Sequence, residues 1–256
     1  MITSTSNKQV KHIGQLQKKA KLRNQENVFV VEGPKMVAET PPELLQELYI
    51  SESFCDKWQG PKGEMVSDAV MKAMSDTTTP QGVLAVVKKP HYHLTQLLQS
   101  RAHLLLVEGV QDPGNLGTMF RTGEGAGVTG IVMHKTTVDL FHPKTVRSTM
   151  GSIYRVPFII AEDWEKTISE ISQAGVTLFA AHLGGTKMYD AFDYTKGCGF
   201  FVGNEGNGLT EATSAMADEL LRIPMEGRLE SLNAAMAAGI LMYEANRQRR
   251  KEFGGY

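Results

Sequence analysis

The sequence predicts an α/β protein: a parallel sheet with helices on both faces, preceded by a smaller α/β domain. Three observations carry this. From Ala102 onward, short apolar runs alternate with helical stretches (His103 to Val110, Ile131 to Met133, Val176 to Leu183, Phe200 to Val202), the order expected of a buried parallel sheet. Polar Gly/Asn loops follow two of these runs. The first 95 or so residues hold their own shorter alternation and close on a link at Lys88–Ser100 that contains Pro90. The expected domains are therefore residues 1–95 and 96–256.

Taken in order, residues 7 to 23 form a basic helix, and Asn27 to Glu32 a strand before the Gly33-Pro34 loop. Leu44 to Ile50 reads as helix then strand. Asp68 to Met74 is a helix capped by Ser67 or Asp68, and Gly82 to Val87 a strand. In the second domain Asp112-Pro113-Gly114-Asn115 is a loop, with Asn115 placed to cap a helix running through Arg121. Pro143 to Met150 is a helix, Tyr154 to Ile160 a strand, and Trp164 to Gln173 a helix ended by Gly175. After the Phe200 strand come Gly203–Leu209, a short helix, a strand, and a loop holding Ile223, Pro224 and Met225. The last helix has no charge from Ala234 to Tyr243, which marks it as buried in the core or in a subunit interface, with Ser231 as its natural N-cap.

Composition narrows the class. With 256 residues and 41% hydrophobic side chains, the chain can bury a sizeable core. No apolar run is long enough to span a membrane and the polar N-terminus is no secretory signal, so the reading is a soluble, cytoplasmic protein. Cys55 and Cys198 have neither metal nor redox spacing, and the His91/His93 pair lacks further ligands, so no metal is expected. Net charge is -1, but Lys8, Lys11, Lys18, Lys19, Lys21 and Arg23 precede the first acid, Glu26. Such a basic patch fits a phosphate-rich partner, RNA among them.

One motif is excluded by context. Gly125, Gly127 and Gly130 match the dinucleotide-binding spacing, but they end a helix and precede a strand, the reverse of what a pyrophosphate site needs. A threefold constellation carries more. Its parts are Asn115 to Arg121 after a strand, Gly203-Asn204-Glu205-Gly206-Asn207-Gly208, and Ile223-Pro224-Met225 followed by Ser231-Leu232-Asn233. Arg121 offers a guanidinium fork suited to phosphate.

On these three motifs, in this order, the chain resembles the SpoU/TrmH family of RNA ribose 2′-O-methyltransferases in the SPOUT superfamily. The stretches NVFVVEGPKMVAE and TPQGVLAVV of the first domain are similar to that family's L30e-like RNA-binding domain. The resemblance implies a C-terminal sheet tied in a trefoil knot, S-adenosylmethionine as methyl donor, and a homodimer whose site is built from both subunits. It implies cofactor loops at Leu183 and Gly184, at Gly203, Asn204, Glu205 and Gly206, at Ile223, Pro224 and Met225, and at Leu232 and Asn233. The catalytic set it implies is Arg121, Asn115, Glu205, Ser231 and Asn233. The substrate implied is an RNA ribose 2′-hydroxyl, with ribosomal RNA favoured by the two-domain layout. Transfer RNA, a base nitrogen as acceptor, and a non-catalytic RNA-binding module are the competing readings.

A guanidinium does not readily give up its proton. Arg121 is therefore expected to clamp the target phosphate and stabilise developing alkoxide charge, and Glu205 to orient Asn115 or Arg121. Two departures stand out: Ala235 lacks the hydroxyl usual in the third motif, and Gly123 and Gly125 replace the usual alanines of the first, weakening that helix by roughly 1 kcal/mol per residue.

Overall fold

The computed structural model describes residues 1–182, 184–228 and 231–252, in two compact units. The first comprises Met1–Pro90 with Asp139–Tyr154, and the second His91–Val138 with Arg155–Tyr256.

The first unit runs α1 (Lys8–Lys18), α2 (Ala20–Glu26), β1 (Val28–Glu32), α3 (Pro34–Ala38), β2 (Leu45–Ser51), β3 (Glu64–Val66), α4 (Asp68–Met74) and β4 (Val83–Lys88). Its sheet has the order β1-β4-β2-β3, antiparallel except for the β2/β3 pair. The single basic helix expected over residues 7 to 23 is two, because Lys19 is extended between them. Val10, Ile13 and Leu16 of α1 pack against Val70, Met71 and Met74 of α4 and against Val30, Tyr49 and Leu84 of the sheet. Ser67 caps α4, as expected, by accepting from Val70 N. The later segment Asp139–Tyr154 belongs to this unit, and its Phe141 ring lies 5.1 Å from that of Phe29.

The expectation for Arg23 is overturned here. Its side chain is only 2% exposed. It donates to the carbonyls of Leu16 (2.6 Å) and Gln17 (3.1 Å) and to Asp139 Oδ2 (2.5 Å). A guanidinium buried in this way needs every partner it has, so Arg23 ties α1 and α2 to the Asp139 segment and cannot serve as part of a basic surface. Lys8, Lys11, Lys18, Lys19 and Lys21 are all exposed.

The second unit opens with α5 (Leu94–Leu97), a short helix inside the expected link. It continues through β5 (His103–Val107), α6 (Pro113–Ala126) and β6 (Gly130–His134). After α7 (Pro143–Thr149), which lies in the other unit's segment, come β7 (Phe158–Ala161), α8 (Trp164–Gln173), β8 (Thr177–Ala181), β9 (Lys187–Met188), β10 (Cys198–Val202), α9 (Glu211–Ser214), β11 (Glu219–Arg222) and α10 (Ala234–Glu252). The strand expected from Tyr154 starts at Phe158, because Ser152–Tyr154 closes a 3-10 turn instead.

All seven strands are parallel, in the order β7-β6-β5-β10-β8-β11-β9. Trp164, Ile168 and Ile171 of α8 cover one face, against Leu104, Leu106, Val132, Leu178 and Phe201. Helices α6 and α10 pack on each other, and α10 packs on β5 and β10. A side chain at Gly125 would put its Cβ 2.9 Å from the Tyr243 hydroxyl. The glycine that weakens α6 as an isolated helix therefore admits α10. Gly127 closes α6 before β6, which confirms that the Gly125–Gly130 spacing is not a nucleotide loop.

This strand order decides where the site lies. Strands β5, β10, β8 and β11 are consecutive neighbours, and a parallel sheet puts their carboxyl ends on one edge. The first turn of the helix after β5 holds Asn115, and the loops after β10, β8 and β11 hold Glu205, Gly184 and Met225. No helix among the described residues is long and apolar enough to cross a membrane.

Candidate active site

Each motif enters the site through a local device. Asp112 accepts from Asn115 N (2.9 Å) and is the N-cap of α6, with Pro113 in the first turn. The expected cap, Asn115, thus lies inside the helix with its side chain free for other partners. The second loop folds back on itself: Asn204 and Gly208 exchange main-chain hydrogen bonds, and Asn204 Oδ1 accepts from Gly206 N and Asn207 N. A Cβ on Gly203 would sit 2.2 Å from the Gly208 carbonyl carbon, so only glycine closes this loop. At the third motif Asn233, not Ser231, caps α10, accepting from Ala235 N (2.9 Å) and Met236 N (3.3 Å).

One chain of hydrogen bonds joins the three motifs. Asn115 Nδ2 donates to Glu205 Oε1 (2.8 Å), and Asn233 Nδ2 donates to Asn115 Oδ1 (3.0 Å). Glu205 also accepts from Gln111 N (3.0 Å) and Asp112 N (3.2 Å). Asn204 Nδ2 donates to the Gly109 carbonyl (2.8 Å). Burial works against the Glu205 charge. The bonds from Asn115, from Gln111 N, from its own backbone and from Asp112 N together outweigh burial and hold the carboxyl below the usual range. A carboxylate with a lowered pKa and all these donors is a poor proton acceptor near neutrality. Glu205 instead holds the Asn115 amide by a hydrogen bond.

The remaining candidates divide. Ile223, Met225 and Leu232 are half-buried, and Pro224 and Gly206 are exposed. Among the described residues the main-chain groups of Ile223 and Met225 have no hydrogen-bond partner outside the strand ladders. They remain available to a polar, uncharged ring edge. Gly184 is exposed, its N–H donating to His182 Nδ1 (3.0 Å). Leu183 lies outside the described residues. Ser231 is exposed and makes no hydrogen bond among them. Arg121 is exposed on α6, without a hydrogen bond or ion pair among the described residues. It lies six residues beyond Asn115, about 9 Å along the helix axis, and is not part of the Glu205–Asn115–Asn233 chain.

Two participants escaped the motif reading, Gln111 and Asp112. The Asp-Pro pair, an N-cap followed by proline at the first helical position, is the signal that marks Asp112. Gln111 has no such signal. Its Nε2 bridges the carbonyls of Gly109 (2.9 Å) and Thr136 (2.8 Å), residues adjacent only in the folded chain.

The profile described as the SpoU rRNA Methylase family matches residues 102–243, more than half of the chain. The chain belongs to this family. A second profile, the MRM3-like substrate binding domain, matches residues 7–85. The 23S rRNA (guanosine(2553)-2′-O)-methyltransferase RlmP of Bacillus subtilis is 34% identical over 247 residues, 94% of this chain and 97% of that protein. The AdoMet-bound rRNA methyltransferase of Sinorhizobium meliloti superposes with a TM-score of 0.87 at 33% identity, covering 96% of this chain and 97% of that one. The SpoU methyltransferase AviRb of Streptomyces viridochromogenes, in complex with AdoMet, gives 0.86 at 25% identity, covering 98% and 100%.

Proposed function

We propose that the protein is an RNA ribose 2′-O-methyltransferase acting on 23S-type ribosomal RNA. The observation that carries this reading is the Glu205–Asn115–Asn233 chain, which draws three sequence-distant motifs to one sheet edge. End-to-end similarity to proteins named as rRNA methyltransferases supports the substrate class.

S-adenosylmethionine supplies an electrophilic methyl group. The chain's own residues fit such a donor: Gly203 to Gly208 carries one charge, Glu205, which Asn115 and the Gln111 and Asp112 main chain already hold, and Ile223 to Met225 carries none. The open main chain of Ile223 and Met225 suits an adenine edge, and Gly203, Gly206 and Leu232 belong to the loops that complete the cofactor site. Asn233 and Asn115 orient polar groups of the nucleotide. Arg121 clamps the target phosphate and stabilises negative charge that develops on the 2′-oxygen. Ser231, without a hydrogen bond among the described residues, is available to substrate.

Arg121 reaches this constellation in a homodimer, where one protomer's arginine completes its partner's site. The support is a solvent-facing apolar face on α10. Met236 is 61% and Tyr243 48% exposed, seven residues apart on the same side of the helix. The knotted threading of the C-terminal sheet belongs to the same reading. Residues 1–95 bind substrate RNA through Lys8, Lys11, Lys18, Lys19 and Lys21, and residues 96–256 carry the methyl transfer, in the cytoplasm.

The test is transfer of tritiated methyl groups from S-adenosylmethionine to unmodified total RNA, with the label mapped by nuclease-resistant dinucleotides. Label in a ribose of large-subunit RNA is the expected result. Label on a base, or in transfer RNA alone, overturns the assignment.

A further inference from the structure

The first residue after β5, upstream of the first motif, is acidic and does not enter the constellation above. Glu108 directly follows β5 and is 7% exposed. Its main-chain N–H donates to the Val202 carbonyl (2.9 Å), at the end of β10. Its carboxylate accepts three hydrogen bonds, from Thr210 at the far end of the second loop and from Thr213 in α9. Oε2 accepts from Thr210 N (2.9 Å), and Oε1 from Thr210 Oγ1 (2.9 Å) and Thr213 Oγ1 (2.6 Å).

Both hydroxyls spend their one proton on Glu108 and accept a further bond. Thr210 Oγ1 also accepts from Thr213 N (3.1 Å), capping α9, and Thr213 Oγ1 accepts from the Trp164 indole N–H (3.1 Å). Turning either side chain about χ1 to move its oxygen away from Glu108 would therefore also break the bond to Thr213 N or to the Trp164 indole.

The two loops are thus stitched in both directions. Glu205, from the second loop, reaches across to Gln111, Asp112 and Asn115. Glu108, from the strand before the first motif, reaches across to the far end of the second loop. Between these anchors lies Asn204, bound to Gly109. We infer that Glu108 is a positioning residue for methyl transfer: it fixes the Gly203–Thr210 loop so that Glu205 presents Asn115 and the loop main chain in register. This rests on the methyltransferase reading, which makes that loop part of the cofactor site.

Glu108→Gln keeps the shape but turns one acceptor into a donor facing Thr210. Thr210→Ala removes one hydroxyl and leaves the carboxylate. Hydrogen–deuterium exchange is measured on the full-length protein, together with kcat and KM for RNA. In both variants the amides of Asn204, Gly206, Asn207 and Gly208 are expected to exchange at least tenfold faster. The amides of β5, β6 and β10 stay unchanged, and kcat falls about tenfold with the KM for RNA within twofold. Loop exchange at the wild-type rate, or acceleration spread evenly over the sheet, overturns the inference. If Glu108→Gln does not fold, Thr210→Ala decides alone. Wild-type protein that transfers no methyl group to any RNA defeats the methyltransferase reading instead, and the exchange comparison still decides whether Glu108 holds the loop.

Discussion

Replacing Asn115 by Asp changes a single heavy atom, and its effect follows from the geometry. Asn115 Nδ2 donates to Glu205 Oε1 at 2.8 Å. In Asn115→Asp that nitrogen becomes an oxygen, and turning the side chain over brings no relief because its other atom is already an oxygen. At that separation two unit charges repel by about 1.5 kcal/mol with bulk-water screening, and by about 6 kcal/mol at an effective dielectric of 20. Glu205 is exposed, so the lower figure governs. The lost hydrogen bond to a charged group adds roughly 1.5 kcal/mol. The sum, about 3 kcal/mol, corresponds to a loss of roughly 100-fold in kcat/KM. Asn115→Ala loses the bond without the repulsion and should fall only about tenfold. The assay is methyl transfer to RNA between pH 6 and 8. The N115D variant should recover activity as the pH falls, since one shared proton relieves the carboxylate pair. Equal activity of the two variants, or an Asp variant closer to wild type, would refute the claim that Glu205 works by electrostatic orientation of Asn115.

Four further outcomes follow. Arg121→Ala should lose at least 100-fold in kcat/KM while leaving S-adenosylmethionine affinity intact by calorimetry, and Arg121→Lys should retain part of the activity; near-full activity of the Ala variant ends the phosphate-clamp role. Arg23→Ala should destabilise the first unit by about 3 kcal/mol in urea unfolding, because it strands the partly buried Asp139, whereas Lys18→Glu with Lys21→Glu should weaken RNA binding and its salt dependence without changing stability. Met236→Glu with Tyr243→Asp should convert a dimer to monomer in sedimentation and abolish activity together; an active monomer contradicts the shared site. His103 has its pKa lowered to about 3, by burial first and then by the Arg249 charge, with the Gly127 main chain pulling weakly the other way. The unfolded chain therefore takes up the proton first, and the stability present above about pH 6.5 is lost as pH falls from there towards 3, at roughly 1.4 kcal/mol per unit. His103→Leu should flatten that loss in unfolding measurements at pH 7 and pH 5.

The alternation of apolar runs with helices, and the Gly/Asn loops after β5 and β10, were legible because each is a local pattern: burial on both faces demands continuous apolar strands, and a loop that doubles back demands glycine. Asn115, Glu205 and Asn233 are singled out by the resemblance of the three motifs to the family, taken together in order, and not by any one local pattern. Three local inferences went astray where a neighbour competed for the same role. Asp112 took the cap expected of Asn115, and Asn233 took that expected of Ser231, because in each case the other side chain or the chain path was better placed. Arg23 looked like one more cation in a basic run, and only its long-range partner Asp139 shows why it is buried.

The sequence alone determined the class of fold, the polar residues of the motifs and the lysine-rich start of the chain, because period, turn chemistry and charge are properties of neighbours along the chain. The tertiary structure decided the strand order β5-β10-β8-β11, the bond from Asn233 to Asn115 across 118 positions, and the cage of threonines around Glu108. These depend on which strands lie side by side, and no period in a sequence encodes that adjacency.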